Sequence, residues 1–552
     1  MSFGSCAAVT LPPTARWHGT RRSACALLTA ASVLAGCGGG GGDSSAPPPA
    51  GPVFVTPAAQ FRASAATPYT ADCDGGAAAG TLFTNAEVEP HVAVNPRSPD
   101  NVIGAWQQDR FSGGAARGVV LAISQDGARS WSRLALPFSR CGGGMEERAT
   151  DPWVSFGADG TAYAMALATS GQAFGSGSAS AMLVARSTDN GRTWSAPATL
   201  IRDGAAAFND KNTLTADPFD ARYAYAVWDR LIPSGGGPLM FARTVDGGAS
   251  WEPARAIFDP GANAQTIGAV VAVLTNGNLA TLFTRIDYVN GRNVASLWVL
   301  RSTDKGATWL APIRIADMQA VGAFVPETQL AIRDGSILAQ IAAGPAGELY
   351  VVWQDARFSG GQIDAIALSK SVDGGLTWSA PVPISTVAAV QAFTAQVHVA
   401  RDGTVGVSYF DLRGDTNDAG ATTPTDYWLA RSRDGGATWS ETRIAGPFDL
   451  QRAPNARGLF LGDYHGLASI DTTFLSFFAQ TTQDGDANRT DVFALKLAPA
   501  TRAASVPSGR PRAAVATAQS PAPPGELADR VSRNIARALR DRQRPGVAGS
   551  AP

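Results

Sequence analysis

Six apolar runs of four or five residues recur along the chain: Val119–Ile123, Ala181–Ala185, Leu239–Ala242, Leu297–Leu300, Ala365–Leu368 and Tyr427–Ala430. A polar octet follows each run with at most two residues between, beginning at Ser124, Ser187, Thr244, Ser302, Ser371 and Ser432. Short apolar runs bounded by Gly, Asp and Ser read as β-strands joined by tight turns. Further strands surround each octet. In the first repeat they are His91–Asn95 and Val102–Gln107 before it and Leu134–Pro137 after it. The last unit holds His465–Ile470, Phe474–Ala479 and Val492–Leu497 with no octet, and Val53–Phe61 is the candidate for its missing fourth strand. Leu527, Val531, Ile535 and Leu539 recur every four residues, which predicts a short amphipathic helix over 525–543. With so few apolar residues it reads as a solvated, partly frayed helix.

The octets share one pattern, Ser/Thr-x-Asp-x-Gly-x-Ser/Thr-Trp, with Ala128 in place of Gly in the first. Their aspartates are Asp126, Asp189, Asp246, Asp304, Asp373 and Asp434, at intervals of 57 to 69 residues. Asp accepts hydrogen bonds from the N–H groups of its own turn, Gly supplies a positive φ, and Trp buries a large ring against the hairpin. The pattern resembles the Asp-box, or BNR repeat, of the sialidase superfamily. The resemblance covers about residues 85–498 and implies an all-β, sialidase-like β-propeller over 53–499. Seven blades are expected, with six as the alternative. It also implies that the boxes are structural, on hairpins away from the ligand face.

Arg16, Arg21 and Arg22 precede an apolar stretch over 23–36, too short to span a bilayer as a mature helix. It ends in Leu34-Ala35-Gly36-Cys37, which resembles the lipobox of bacterial lipoproteins. That implies a signal peptide over 1–36, lipidation at Cys37, and an extracytoplasmic protein held in the bacterial cell envelope through the membrane. Residues 37–52 form a Gly/Pro-rich tether, and 500–552 read as a disordered tail apart from the helix. In an oxidising compartment Cys73 and Cys141 remain as a disulfide pair.

The formal net charge of −1 is unevenly spread. Basic residues dominate both ends, leaving −10 on 37–499. Such a body is a poor partner for nucleic acid, whose phosphates require a basic face. No Cys/His spacing suggests a metal, and no cofactor is expected. A monomer acting on a glycan or glycoconjugate is the expectation.

Asp/Arg pairs recur at the ends of second strands: Asp109-Arg110, Asp229-Arg230, Asp355-x-Arg357 and Asp411-x-Arg413, with Arg285-x-Asp287 as a variant. They read either as a ring recognising a glycan or as ties between blades. Residues that break the repeat are better site candidates: Glu146-Glu147-Arg148 with Asp151, Asp210-Lys211-Asn212, Asp463-Tyr464-His465, and Glu89 with His91. Tyr464-His-Gly-Leu467 resembles the tyrosine segment of sialidases, which use a Tyr nucleophile, a Glu base, an Asp acid/base and three Arg for the substrate carboxylate. That likeness implies Tyr464, Asp463, Glu147 and Asp151 as catalytic candidates. Arg148, Arg110, Arg357 and Arg413 are the substrate-binding candidates. The family's Arg-Ile-Pro motif is replaced by Glu89-Pro90-His91-Val92, and Ser112–Arg117 offers no acid/base Asp. Two readings therefore stand: a sialidase-type glycosidase, or a propeller that binds a glycan or protein without turnover.

The lipobox reading predicts that Cys37→Ser releases the protein from the membrane fraction. An unchanged membrane location on fractionation would refute it.

Overall fold

The computed structural model describes residues 59–498, apart from 77–79, Ser234 and Asn417, together with 522–543. The expected signal segment, Cys37, the expected tether and Val53–Ala58 lie outside the described residues, as do 499–521 and 544–552.

Continuous apolar runs make sheets that are apolar on both faces, and each sheet must be covered twice. The strands accordingly form consecutive antiparallel blades. Blade 1 is Leu82–Val94, Val102–Phe111, Ala116–Ser124 and Ser132–Ala135; blade 2 is Arg148–Phe156, Ala162–Ser170, Ala179–Ser187 and Ala198–Asp203. Blade 3 runs from Phe208–Ala216 to Arg255–Phe258, and blade 4 from Ala264–Val273 to Ile313–Met318. Blade 5 spans Gln340–Ala343 to Val382–Pro383, and blade 6 Ala392–Val399 to Ser440–Asp449. The last blade has Gly466–Ile470, Thr473–Thr481 and Thr490–Leu497. Each first strand packs against the first strand of the next blade, and that of the last blade packs against that of blade 1. This closed ring is a β-propeller.

The core lies between blades. Ile103, Leu121 and Val119 of blade 1 meet Val154, Ala164 and Phe156 of blade 2. Trp153 and Met165 of blade 2 meet Leu214 and Trp228 of blade 3. Across the closure, Leu475, Phe477 and Val492 meet Val102, Trp106 and Val120. Phe61–Arg62 pairs with Thr490–Leu497, Phe61 opposite Ala494, and so adds the N-terminal strand to the last blade. The chain then returns towards blade 1 through the Cys73–Cys141 disulfide, which closes a loop of 68 residues. A loop of that length corresponds to about 4 kcal/mol of chain entropy.

Each octet connects the third and fourth strands of its blade. In the fourth box, Asp304 accepts from Ser302 Oγ (2.8 Å), Thr308 N (2.9 Å) and Thr308 Oγ1 (2.6 Å). Gly306 has φ +81°, and a Cβ there would lie 2.6 Å from Phe241 of the preceding blade. Ala128 adopts the same left-handed backbone, φ +68°. A cation just before the box reaches the next blade's box: Arg186 donates to Gly247 O (2.9 Å), Arg243 to Lys305 O (2.7 Å) and Arg301 to Gly374 O (2.7 Å).

The octets thus fasten blade to blade along one rim of the ring. Hydrogen bonds from Thr308 hold the Asp304 carboxyl down at about 2. A depressed folded-state value contributes stability above the unfolded pKa of about 4, lost as pH falls towards about 2. Asp304→Ala is expected to destabilise by about 1 to 2 kcal/mol at neutral pH. The difference should vanish in urea melts between pH 4 and 2.

Candidate active site at the propeller axis

The first strands carry an irregularity at one equivalent place. Register shifts separate Val88 from His91, Thr150 from Trp153, Asp210 from Thr213, Ile267 from Val270 and Phe393 from Gln396. Inside them sit residues in the left-handed region: Glu89 (φ +53°), Asp151 (+52°), Lys211 (+48°), Gly268 (+64°) and Thr394 (+51°). A β-bulge re-aims a side chain, and left-handed backbone in a non-Gly residue costs of order 1–3 kcal/mol. Strain held at successive blades marks the axis as the candidate site.

Charge gathers on blades 1, 2, 3 and the last. Lys211 Nζ lies 2.6 Å from Asp463 Oδ2, 3.5 Å from Glu89 Oε1 and 3.6 Å from Asp151 Oδ1. Arg333 grips Asp463 with two bonds, at 2.7 and 3.1 Å. The Asp463 backbone N–H donates to Glu89 Oε1 (3.3 Å). Gln107 donates to Glu89 and accepts from Arg110 (2.6 Å). The guanidinium groups of Arg110 and Arg333 both stack on Phe460, at 4.8 and 4.4 Å.

Burial sets these groups apart. It pushes the Glu89 carboxyl up to about 8 despite Lys211. Asp463 is equally buried, yet Arg333 and Lys211 hold it well below the carboxylate range. Burial opposes the charge on Lys211, but Asp151, Asp463 and Glu89 outweigh it and raise its pKa. Two cavities of about 40 Å³ each flank Lys211 and Arg333. One of them is also lined by Arg110, Gly114, Thr150 and Asp151. Asp151 Oδ2 and Arg110 Nε are buried there without a hydrogen-bond partner.

The structure brings together Glu89, Asp151, Lys211, Asp463, Arg110 and Tyr464 from among the residues singled out above. The Tyr464 hydroxyl donates to Pro152 O (3.0 Å), and its ring meets Trp153 edge-on. Burial, and then the Glu89, Asp151 and Asp463 charges, push the phenol well above its ordinary range. His91 stacks on Trp153 at 3.8 Å, and burial lowers its pKa to about 3, so it is neutral. Glu147 lies apart, accepting from Gly171 N (3.1 Å). Arg148 stacks on Phe111 at 4.0 Å and donates to Gly114 O.

Arg357 and Arg413 are held away from the cluster. Arg357 pairs with Asp355 (2.8 Å) and donates to Asp317 O of blade 4. Arg413 pairs with Asp411 (2.5 Å) and Glu441 (3.0 Å) over the Trp428 ring. Arg230 binds Asp203 of blade 2 (2.7 Å). These pairs fix blades internally or to a neighbour. Arg333 was not singled out from the sequence, because it reaches the axis through a two-residue parallel pairing of Ile332–Arg333 with Leu459–Phe460. Glu89 and Asp151 also share a local signal, since Glu89-Pro-His-Val and Asp151-Pro-Trp-Val are one motif in successive blades. Among the described residues no cluster of His, Cys, Asp and Glu is arranged to hold a metal ion.

No protein-family model matches the chain, and no curated protein matches it either. Among solved structures, a Penicillium chrysogenum alpha-L-arabinanase complexed with arabinobiose is 13% identical with a TM-score of 0.43, covering 80% of this chain and 98% of its own. A Hadza microbial sialidase is 16% identical, with a TM-score of 0.41 and coverage of 72% and 73%. A leech intramolecular trans-sialidase is 15% identical, with a TM-score of 0.40 and coverage of 81% and 70%.

Removing one partner of a buried ion cluster leaves uncompensated charge, at a cost of about 3–5 kcal/mol. Lys211→Met is therefore expected to lower stability by that order in urea melts. Adding Asp463→Asn should restore part of the loss. Strictly additive effects in this double-mutant cycle would show that the two groups do not interact.

Proposed function

We propose that the protein is a glycan-acting propeller and that its site is the axial cluster. The observation that carries this reading is the pair of carboxyl groups biased in opposite directions around Lys211, Glu89 upwards and Asp463 downwards. Glycoside cleavage needs a protonated acid beside an ionised carboxylate, and environments that push two acids apart supply both. Glu89 is the proton donor in this reading. Asp463, kept ionised by Lys211 and Arg333, is the second carboxylate. The two acids lie 3.5 and 2.6 Å from the same ammonium, so these oxygens are at most about 6 Å apart.

Lys211 and Arg333 are both engaged by Asp463, which supports a neutral sugar, read through its hydroxyl groups, over an anionic one. Sialidase-type turnover through Tyr464 has less support, because its hydroxyl is directed to Pro152 O rather than to a base. Binding without turnover is the second reading, favoured by the double engagement of Asp463 by Lys211 and Arg333. Lipid attachment at Cys37, supported by the lipobox, would put this site outside the cytoplasm.

A panel of neutral aryl glycosides and sialosides separates the readings. Turnover of a neutral glycoside is expected. It should fall at least about 100-fold in Glu89→Gln and less than about tenfold in Tyr464→Phe. Since Glu89 must be protonated, kcat/KM should decline as pH rises through about 8. Sialoside turnover abolished by Tyr464→Phe would establish the sialidase reading instead. Binding of a glycan with no turnover would establish the binding one.

A further inference from the structure

The C-terminal helix α1 (Pro524–Gln543) is docked on the ligand face of the propeller. Its apolar stripe enters the core shared by blades 4 and 5, with Val531 and Ile535 buried and Leu527, Ala538 and Leu539 packed beside them. This replaces the solvated helix expected from the sequence. Polar contacts fix its position. Asn534 Nδ2 donates to Ala320 O (3.1 Å) and Ser336 Oγ (3.0 Å). Arg530 donates to Gln362 O (2.6 Å), and Asp529 pairs with Arg292 (2.7 Å). The seat is cut for the helix by glycines. A Cβ on Gly322 would lie 2.4 Å from Asn534 Oδ1, and one on Gly361 would lie 2.7 Å from Leu527 Cδ1.

The docked helix roofs the axis. The cavity beneath it has Lys211, Arg333 and Asp463 below and Asn534, Arg537 and Ala538 above. At about 40 Å³ it has room for a few water molecules. Ligand pockets start at about 300 Å³. A sugar cannot reach the charge cluster from this side while the helix is in place.

We propose that α1 is an autoinhibitory lid: docked, it closes the axial site, and its release admits the ligand. The proposal rests on the axial cluster being the ligand site. The helix pairs with no strand, so its departure breaks no strand ladder. It carries five Arg against three acidic residues, facing a body of opposite net charge. That complementarity favours docking at low ionic strength.

The test uses the full chain with Ser336→Cys as a reporter, since Ser336 is buried beneath Asn534. The rate of alkylation by iodoacetamide is followed at that peptide by mass spectrometry. Val531→Asp/Ile535→Asp, which undocks the stripe, is expected to raise the rate at least tenfold. Asn534→Ala/Arg530→Ala keeps the stripe and should raise it about threefold. A thermal melt confirms that the propeller of each variant is folded. Equal rates in all three proteins would overturn the lid, whatever the glycoside turnover. Faster labelling with no glycan bound or cleaved by any variant would keep the lid and remove the glycan reading.

Discussion

Everything in this structure depends on closing a ring of sheets that are apolar on both faces. A blade standing alone would expose one face whichever way it turned, and its edge strands would invite pairing with other chains. Closure removes both problems, because each interface core is shared by two blades. The last blade lacks a fourth strand of its own, and the segment at Phe61–Arg62 supplies the pairing. The octets and the cations before them repeat the fastening on one face. That leaves the other face open to variation without loss of the fold.

Convergence of the first strands at the axis sets the chemistry. Side chains that would be well spaced on a flat sheet are crowded there, and left-handed bulges turn several of them inwards. Like charges so close cannot all remain ionised in a medium that excludes water. The result is a division of labour: Asp463 keeps its charge by holding Lys211 and Arg333, while Glu89 is driven towards its neutral form. The arrangement follows from geometry as much as from residue type. Thr394 occupies the equivalent bulge of blade 6 without charge, and Gly268 that of blade 4.

The repeat made the fold legible. Six octets at regular intervals identify hairpins, and hairpins at that spacing identify blades. The site was legible only in part. Asp463, Asp151 and Lys211 stood out because they interrupt the repeat. Their meeting is a long-range event that no local pattern records, and Arg333 enters through a two-residue contact with no periodic signature. The Asp/Arg pairs illustrate the opposite difficulty. A repeated charged motif suits architecture as well as ligands, and the ion pairs of Arg230, Arg357 and Arg413 show where their charges are spent. The helix stripe, with only four apolar residues, reads as solvated, and its seat on blades 4 and 5 has no local signal in the sequence.

The pairing of Phe61 with Ala494 also has a kinetic meaning. These residues are synthesised at opposite ends of production of the ring, so the first strand waits for its partner until the last blade exists. Contacts this distant in sequence form late and slowly. Until they form, blade 1 presents an uncovered apolar face and the last blade an unpaired edge. The half-made ring is thus the state most exposed to aggregation. Conditions that shield the nascent chain should matter more to its yield than anything that stabilises the finished ring.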